Sequence, residues 1–241
     1  MHTVGQIGKV ISSRGGAAAA PMATQYDGTN DGAYWPSLPT GLADGPAFTM
    51  SLHFKATKSG AGDQYFTDQG IAFFHRMGGT GTGILRWLDT AVGSPALNLA
   101  MGSNLDDGNI HSLVVAGDRI SGRRQVYVDR AAILNDTGYA TANDLDFTTE
   151  FYVFIKNNAT EAFGGFAWEF WWDDTAVNIA TELNKFVNPD NTAADKGATG
   201  TIPTGSAPRI YAPDGNPVVN LGSGGNATAI GSPSTVARPT S

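Results

Sequence analysis

Residues 151–189 read FYVFIKNNATEAFGGFAWEFWWDDTAVNIATELNKFVNP, and this stretch decides the fold. Its first segment alternates: Phe151, Val153 and Ile155 fall on one face of a strand, and Tyr152, Phe154 and Lys156 on the other. After a turn of small residues the second segment alternates again, with Phe166, Trp168, Phe170 and Trp172 opposite Ala167, Glu169 and Trp171. A period of two belongs to pleated strands, and aromatic residues favour them. Residues 166–172 alone carry five aromatic rings, each able to bury roughly 150–250 Å². The period then lengthens. Ile179, Leu183, Phe186 and Val187 stand at i, i+4, i+7 and i+8, one apolar stripe on a short helix over about 179–187. Asn178 or Thr181 can cap its start, and Asn188-Pro189 ends it.

Composition agrees with a sheet protein. Of 241 residues, 31 are Gly and 12 Pro, while only 15% are charged, a profile of many tight turns. The net charge is −7 with no basic run, which argues against phosphate-backbone contacts and hence against nucleic acid as a partner. There is no cysteine, so neither disulfides nor thiolate metal sites support the fold. No stretch approaches the roughly 20 apolar residues of a membrane span, and no membrane partner is expected. Residues 1–23 lack the apolar core of a secretory signal. They read as an arm that anchors the protein or contacts another subunit. A domain over 24–222 and a Gly/Ser/Pro-rich tail over 223–241 complete the expected organisation.

Alternation recurs outward from the central stretch. FTMSLHFK places Phe48, Met50, Leu52 and Phe54 inward and Thr49, Ser51, His53 and Lys55 outward. Residues 70–76, 83–88 and 95–101 read as further strands, and HSLVVAGD and RRQVYVD follow the Asp106-Asp107-Gly108 turn. Nine or ten short strands before the helix predict an all-β, two-sheet antiparallel sandwich. Phe48, Leu52, Phe54, Val114, Val126, Val128, Val153, Phe166, Trp168 and Phe170 are the expected core.

The order of these segments resembles concanavalin A-like (laminin-G-like) jelly rolls. In that family a DG-x-W-H turn leads into one strand and a Y-V-D-G segment ends another. Here Asp107-Gly108-Asn109-Ile110-His111 matches the first with Ile110 in place of Trp, and Tyr127-Val128-Asp129-Arg130 matches the second with Arg130 in place of Gly. WWDDTAVNIATELNKFVNPD, GTIPTGSAPRIYAPDG and NLGSGGN are similar to segments of tailed-bacteriophage virion proteins that carry this sandwich. The resemblance spans about 24–226. It implies a non-enzymatic virion structural protein, as a capsid decoration, head fibre or tail-associated subunit. Such a protein is made in the host cytoplasm, joined to other virion proteins and to its own copies, and presents its sandwich for attachment to host surface glycan. The alternative is a carbohydrate-binding module that recognises host polysaccharide.

Enzymes of the same fold are retaining glycoside hydrolases with an E-x-D-x-x-E strand, because nucleophile and acid must face one cleft about 5–5.5 Å apart. This chain has four glutamates, at 150, 161, 169 and 182, and none forms that pair. No catalytic residue is expected. The histidines, 2, 53, 75 and 111, show no metal-ligand spacing. Calcium is the one cation the loops invite, through Asp27, Asn30 and Asp31, through Asp106 and Asp107, or through Asp173 and Asp174. It needs 6–8 oxygens, and the same residue types also serve plain turn geometry. For sugar stacking the candidates are Trp35, Trp87, Tyr139 and Trp171, each of which could equally be a core ring.

Overall fold

Most of the alternating segments form strands among the described residues. The computed structural model describes residues 21–57, 62–68, 71–77, 84–89, 94–100, 105–139, 150–156 and 161–240. Its strands are β1 (Met22–Asp27), β2 (Gly32–Trp35), β3 (Ala47–Ala56), β4 (Gly62–Asp68), β5 (Ile71–Met77), β6 (Ile84–Asp89) and β7 (Ser94–Ala100). Next come β8 (His111–Asp118), β9 (Arg123–Val128), β10 (Ala131–Asp136), β11 (Phe151–Val153) and β12 (Gly164–Asp173). The helix α1 (Ile179–Glu182) continues into a 3-10 turn, Leu183–Lys185, before β13 (Ile210–Ala212), β14 (Thr228–Ile230) and β15 (Ser234–Ala237).

These strands form two antiparallel sheets. The first runs β10-β9-β8-β3-β12-β1-β15, with β13 also on β12; the second runs β14-β2-β11-β4-β5-β6-β7. Between them lies one apolar core in which Phe48, Met50, Leu52, Phe54, Phe66, Phe151, Val153, Phe163, Phe170 and Trp172 are buried. The fold is the predicted jelly-roll sandwich with one short helix.

The two aromatic strands do not keep a single phase, and this corrects the sequence reading. Glu169 has φ +54, and the register of β12 on β3 shifts between Trp168 and Trp171. The extra residue is a β-bulge, which moves every later side chain to the other face. Ala167, Phe170 and Trp172 therefore enter the core, while Trp168 and Trp171 face outward. Phe154 does the same after β11. Its φ is +63, so Phe154 joins the core beside Val153 and Ile155 leaves it. Of the expected core residues, Phe166 is the one found only half-buried, opposite Lys55 and Gln25 on the neighbouring strands.

The outward face of the first sheet is itself covered. Val114, Ala116, Tyr127 and Trp171 pack beneath Val177, Ile179, Phe186, Val187 and Tyr211 in a second cluster. The predicted stripe is thus correct, although true helix covers only its first turn. Polar outward residues hold this cover down. Thr49 Oγ1 donates to the Thr175 carbonyl (2.7 Å) and accepts from the Val177 amide (2.9 Å). Gln125 Oε1 caps the helix by accepting from the Ile179 amide (2.8 Å), and its Nε2 donates to Asn178 Oδ1 (3.0 Å). Thr49, Ser51 and His53 point outward as predicted, yet they are buried.

The domain borders also move. β1 starts at Met22, and the segment read as a tail supplies β14 and β15, which pair with β2 and β1. The pattern missed them because edge strands this short need no apolar alternation. Asp31, buried near that end, ties the crossing: its Oδ1 accepts from the Ser232 amide at 2.7 Å.

Candidate functional site

The outer face of the second sheet gathers three tyrosines. Antiparallel pairing sets Tyr152 opposite both Tyr34 and Asp68, and Tyr34 opposite Thr228. Directly paired residues share a face, so Thr228, Tyr34, Tyr152 and Asp68 form one row across four strands. The neighbouring row, Ala33 and Val153, points into the core. The Tyr34 and Tyr152 rings stack with centroids 5.5 Å apart and planes at 17°. They rest on Ile155, Ala162 and Ile230. The Tyr152 hydroxyl donates to Glu150 Oε2 at 2.8 Å. Burial first, and then this carboxylate, push its pKa up to about 12. Beside the row, Lys156 Nζ stands 5.5 Å from the Tyr65 ring centroid and pairs with Glu161 at 2.8 Å. Tyr152 and Tyr65 are themselves buried, so the half-buried Tyr34 ring is the aromatic surface of this face; edged by carboxylates and one ammonium, it can hold a flat, hydroxyl-bearing ligand. The sequence reading had assigned Tyr152 to the face opposite Phe151. Tyr34 it did not single out, because GAYW looks like turn chemistry.

The rings chosen from the sequence lie elsewhere. Trp35 is buried in the core, donating to the Gly225 carbonyl at 3.1 Å. Tyr139 is buried under Arg119, whose Nε donates to its hydroxyl at 3.3 Å. Trp171 has no exposed surface and donates to the Gly200 carbonyl at 2.9 Å. These three cannot stack on a surface sugar, since packing has taken the ring faces. Trp87 pairs with Phe73 and Leu97 within β6, and its side chain lies outside the described residues.

The loop acids mostly shape turns. Asp27 Oδ1 accepts from the Thr29 and Asn30 amides, and Asp31 Oδ2 from the Asp27 amide. Asp107 Oδ1 accepts from the Asn109 amide. Asp106 lies next to it and keeps one buried carboxylate oxygen without a partner. Asp173 and Asp174 both accept from Arg209. Among the described residues, no group of three or more His, Asp or Glu is arranged to hold a metal ion.

The two jelly-roll motifs meet at His111. Its Nδ1 lies 2.7 Å from Asp129 Oδ2 and its Nε2 3.0 Å from Asp107 Oδ1. Burial alone would lower its pKa, but the two carboxylates outweigh this and raise it. Asp129 Oδ1 also accepts from the Ser112 amide and from Asn191 Nδ2, so the clamp fastens the 188–193 loop to the sheet. The glutamates are dispersed. Glu150 accepts from Tyr152, Glu161 pairs with Lys156, and Glu182 pairs with Lys185. Glu169, turned outward by its bulge, accepts from Arg238 (2.8 Å) and the Tyr211 hydroxyl (3.0 Å) and faces the buried Lys196 at 3.6 Å.

No family model matches this chain, and no curated protein matches it. Solved structures do. A putative carbohydrate binding protein from Bacteroides ovatus superposes with TM-score 0.64 at 11% identity, covering 90% of this chain and 60% of that one. A full-length tailspike protein of the Escherichia coli O157:H7 bacteriophage CAB120 gives 0.51 at 15% identity, covering 84% of this chain and 31% of that one. A native heptameric SAP-like pentraxin from Limulus polyphemus gives 0.53 at 12% identity, covering 66% and 78%. The chain spans less than two thirds of the first two. At such identities the likeness concerns architecture alone, a two-sheet antiparallel jelly-roll sandwich.

Proposed function

We propose that the chain is a non-enzymatic, glycan-binding module of a tailed-phage virion, attaching to host surface polysaccharide through the outer face of its second sheet. The observation that carries this reading is the stacked Tyr34–Tyr152 pair in one row with Asp68, beside Glu150. The C–H face of a sugar ring packs on an aromatic face, and its hydroxyls donate to carboxylates in short, charge-assisted bonds. The virion setting is supported by the resemblance of segments 171–226 to phage virion proteins. Residues 1–23 are the proposed link to virion partners or to further copies of the chain.

A glycan array probed with the wild type and with Tyr34→Ala tests the site. An aromatic contact is worth about 1 kcal/mol, so the variant should bind roughly fivefold more weakly. Absence of wild-type binding to any bacterial surface polysaccharide would overturn the reading. Mass spectrometry of purified particles tests the virion assignment separately.

A further inference from the structure

On the opposite side of the sandwich, a cleft of about 190 Å³ opens over the outer face of the first sheet. His53 and Trp168 line it from β3 and β12, Asn191 and Thr192 from the loop after the helix, and Arg238 from the end of β15. His53 and Trp168 are directly paired across the strands, and their rings stack at 6.0 Å. Arg238 stands over the Trp168 ring, 5.9 Å from its centroid.

The polar atoms of this cleft are unevenly supplied. His53 is 2% exposed, and neither ring nitrogen makes a hydrogen bond of acceptable geometry. Burial first, and then the Lys196 charge, lower its pKa to about 3, which the nearby Asn191 backbone offsets only in part. The ring is therefore neutral at physiological pH and carries one N–H. A buried polar group without a partner is rare enough to need an explanation. The Trp168 indole N–H has no acceptor among the described residues. Arg238 uses Nε on the Met22 carbonyl and Nη2 on Glu169 and the Pro213 carbonyl, which leaves Nη1 over. The side-chain acceptors of the rim are already occupied, and the Asn191 backbone faces the His53 ring. Asn191 Oδ1 accepts from Ser112, and Thr192 Oγ1 donates to Asp190 and accepts from Asn188. Behind the cleft, Arg238 and Lys196 share the single carboxylate of Glu169.

Spare donors on Trp168 and Arg238, beside a neutral His53 that carries one N–H and one acceptor nitrogen, line a cleft backed by two cations on one carboxylate and complement an anion. We infer that this cleft is a second binding site, which takes one small carboxylate-bearing group of the kind an acidic sugar carries, with His53, Trp168 and Arg238 as its donors. A group of that size fits the volume. The site is separate from the tyrosine row, and the inference does not depend on that row's function.

The test is an NMR titration of the full chain, following the Trp168 indole N–H and the His53 ring, with sodium glucuronate, sodium acetate or glucose. Saturable shifts at both residues with glucuronate, weaker ones with acetate and none with glucose are expected. His53→Phe and Arg238→Gln, each checked for folding by melting, should each reduce glucuronate affinity at least tenfold while glycan-array binding through the tyrosine face persists. Absence of saturable shifts with glucuronate and acetate overturns the inference, as does glucose binding as well as glucuronate. If neither variant folds, the wild-type titration decides alone.

Discussion

Replacing Glu169 with Gln isolates the charge at the centre of the bulge while keeping its shape. Lys196 is fully buried and lies 3.6 Å from that carboxylate, which is itself only 12% exposed. At an effective dielectric constant of about 20, a pair at this distance attracts by roughly 4–5 kcal/mol. The single Gln amide oxygen can replace only one of the two carboxylate oxygens, and so keeps the bond from Arg238 or the bond from Tyr211, which recovers part of the loss. Breaking a buried pair by removing one partner typically costs about 3–5 kcal/mol, because the other charge stays desolvated. The expected cost is therefore at the lower end, about 3 kcal/mol, or roughly 6–12 °C in melting temperature for a chain of this size. Urea unfolding followed by tryptophan fluorescence measures it. The double variant Glu169→Gln/Lys196→Met removes the stranded cation and should be at least about 1 kcal/mol more stable than Glu169→Gln alone. A loss below about 1 kcal/mol in the single variant, or no recovery in the double, would refute the buried pair as a stabilising unit.

The His111 clamp should make stability depend on pH from both sides. Its raised pKa means that the histidine's contribution is complete below about 6.5 and fades as pH rises through the folded value. Burial opposes the lowered pKa values of Asp107 and Asp129, but their hydrogen bonds prevail, so those contributions hold above 3.8 and fade as pH falls through the lowered values. Urea midpoints from pH 6 to 9 should decline in the wild type and flatten in His111→Gln; an unchanged slope in the variant counts against the clamp. Trp172→Ala should cost about 3–5 kcal/mol, and Trp168→Ala less, since Trp168 already borders a cleft; denaturant melts that reverse this order would contradict the rephasing at Glu169. Gly215→Ala should cost roughly 2–3 kcal/mol, because φ is +81 and a Cβ would sit 2.1 Å from the Ala167 carbonyl oxygen. Gly108→Ala, with φ +78 and open space around it, should cost about 1 kcal/mol.

The fold was legible because alternation in segments such as FTMSLHFK survives any detail of pairing. What the pattern could not carry was the phase across Phe154 and Glu169. Nothing in FYVF or AWEFWW marks a left-handed residue, since neither Gly nor Asn occupies the bulge. The outer polar positions were assigned to the correct side, but their burial depended on residues 175–200 folding back over them, a contact made across more than a hundred positions. Trp35, Tyr139 and Trp171 are buried rather than exposed for a related reason. Tryptophans draw attention as sugar platforms, yet a sandwich with two apolar clusters uses large rings to fill them, and Trp35 and Trp171 went there. The half-buried Tyr34 and its buried partner Tyr152 were legible as a pair only once strand pairing had placed them and Asp68 in register. His53 gave no signal at all, because its unpaired nitrogens exist only under the folded-back loop.

The pairing of β1 with β15 has a mechanical consequence. Met22 lies opposite Ala237 and Gln25 opposite Ser234, so the outer ends of the two strands emerge side by side. A load pulling residue 21 away from residue 238 acts across the ladder rather than along it, breaking the Met22–Ala237 rung first and the others one after another. Such peeling yields at low force, and it draws Arg238 away from Glu169 before the aromatic core is disturbed. A load carried through residue 21 and any point on β8 or β9 would instead cross β12 and β3, whose long ladder must give way together. Where tension enters the domain thus decides whether it opens as a seam or resists as a block.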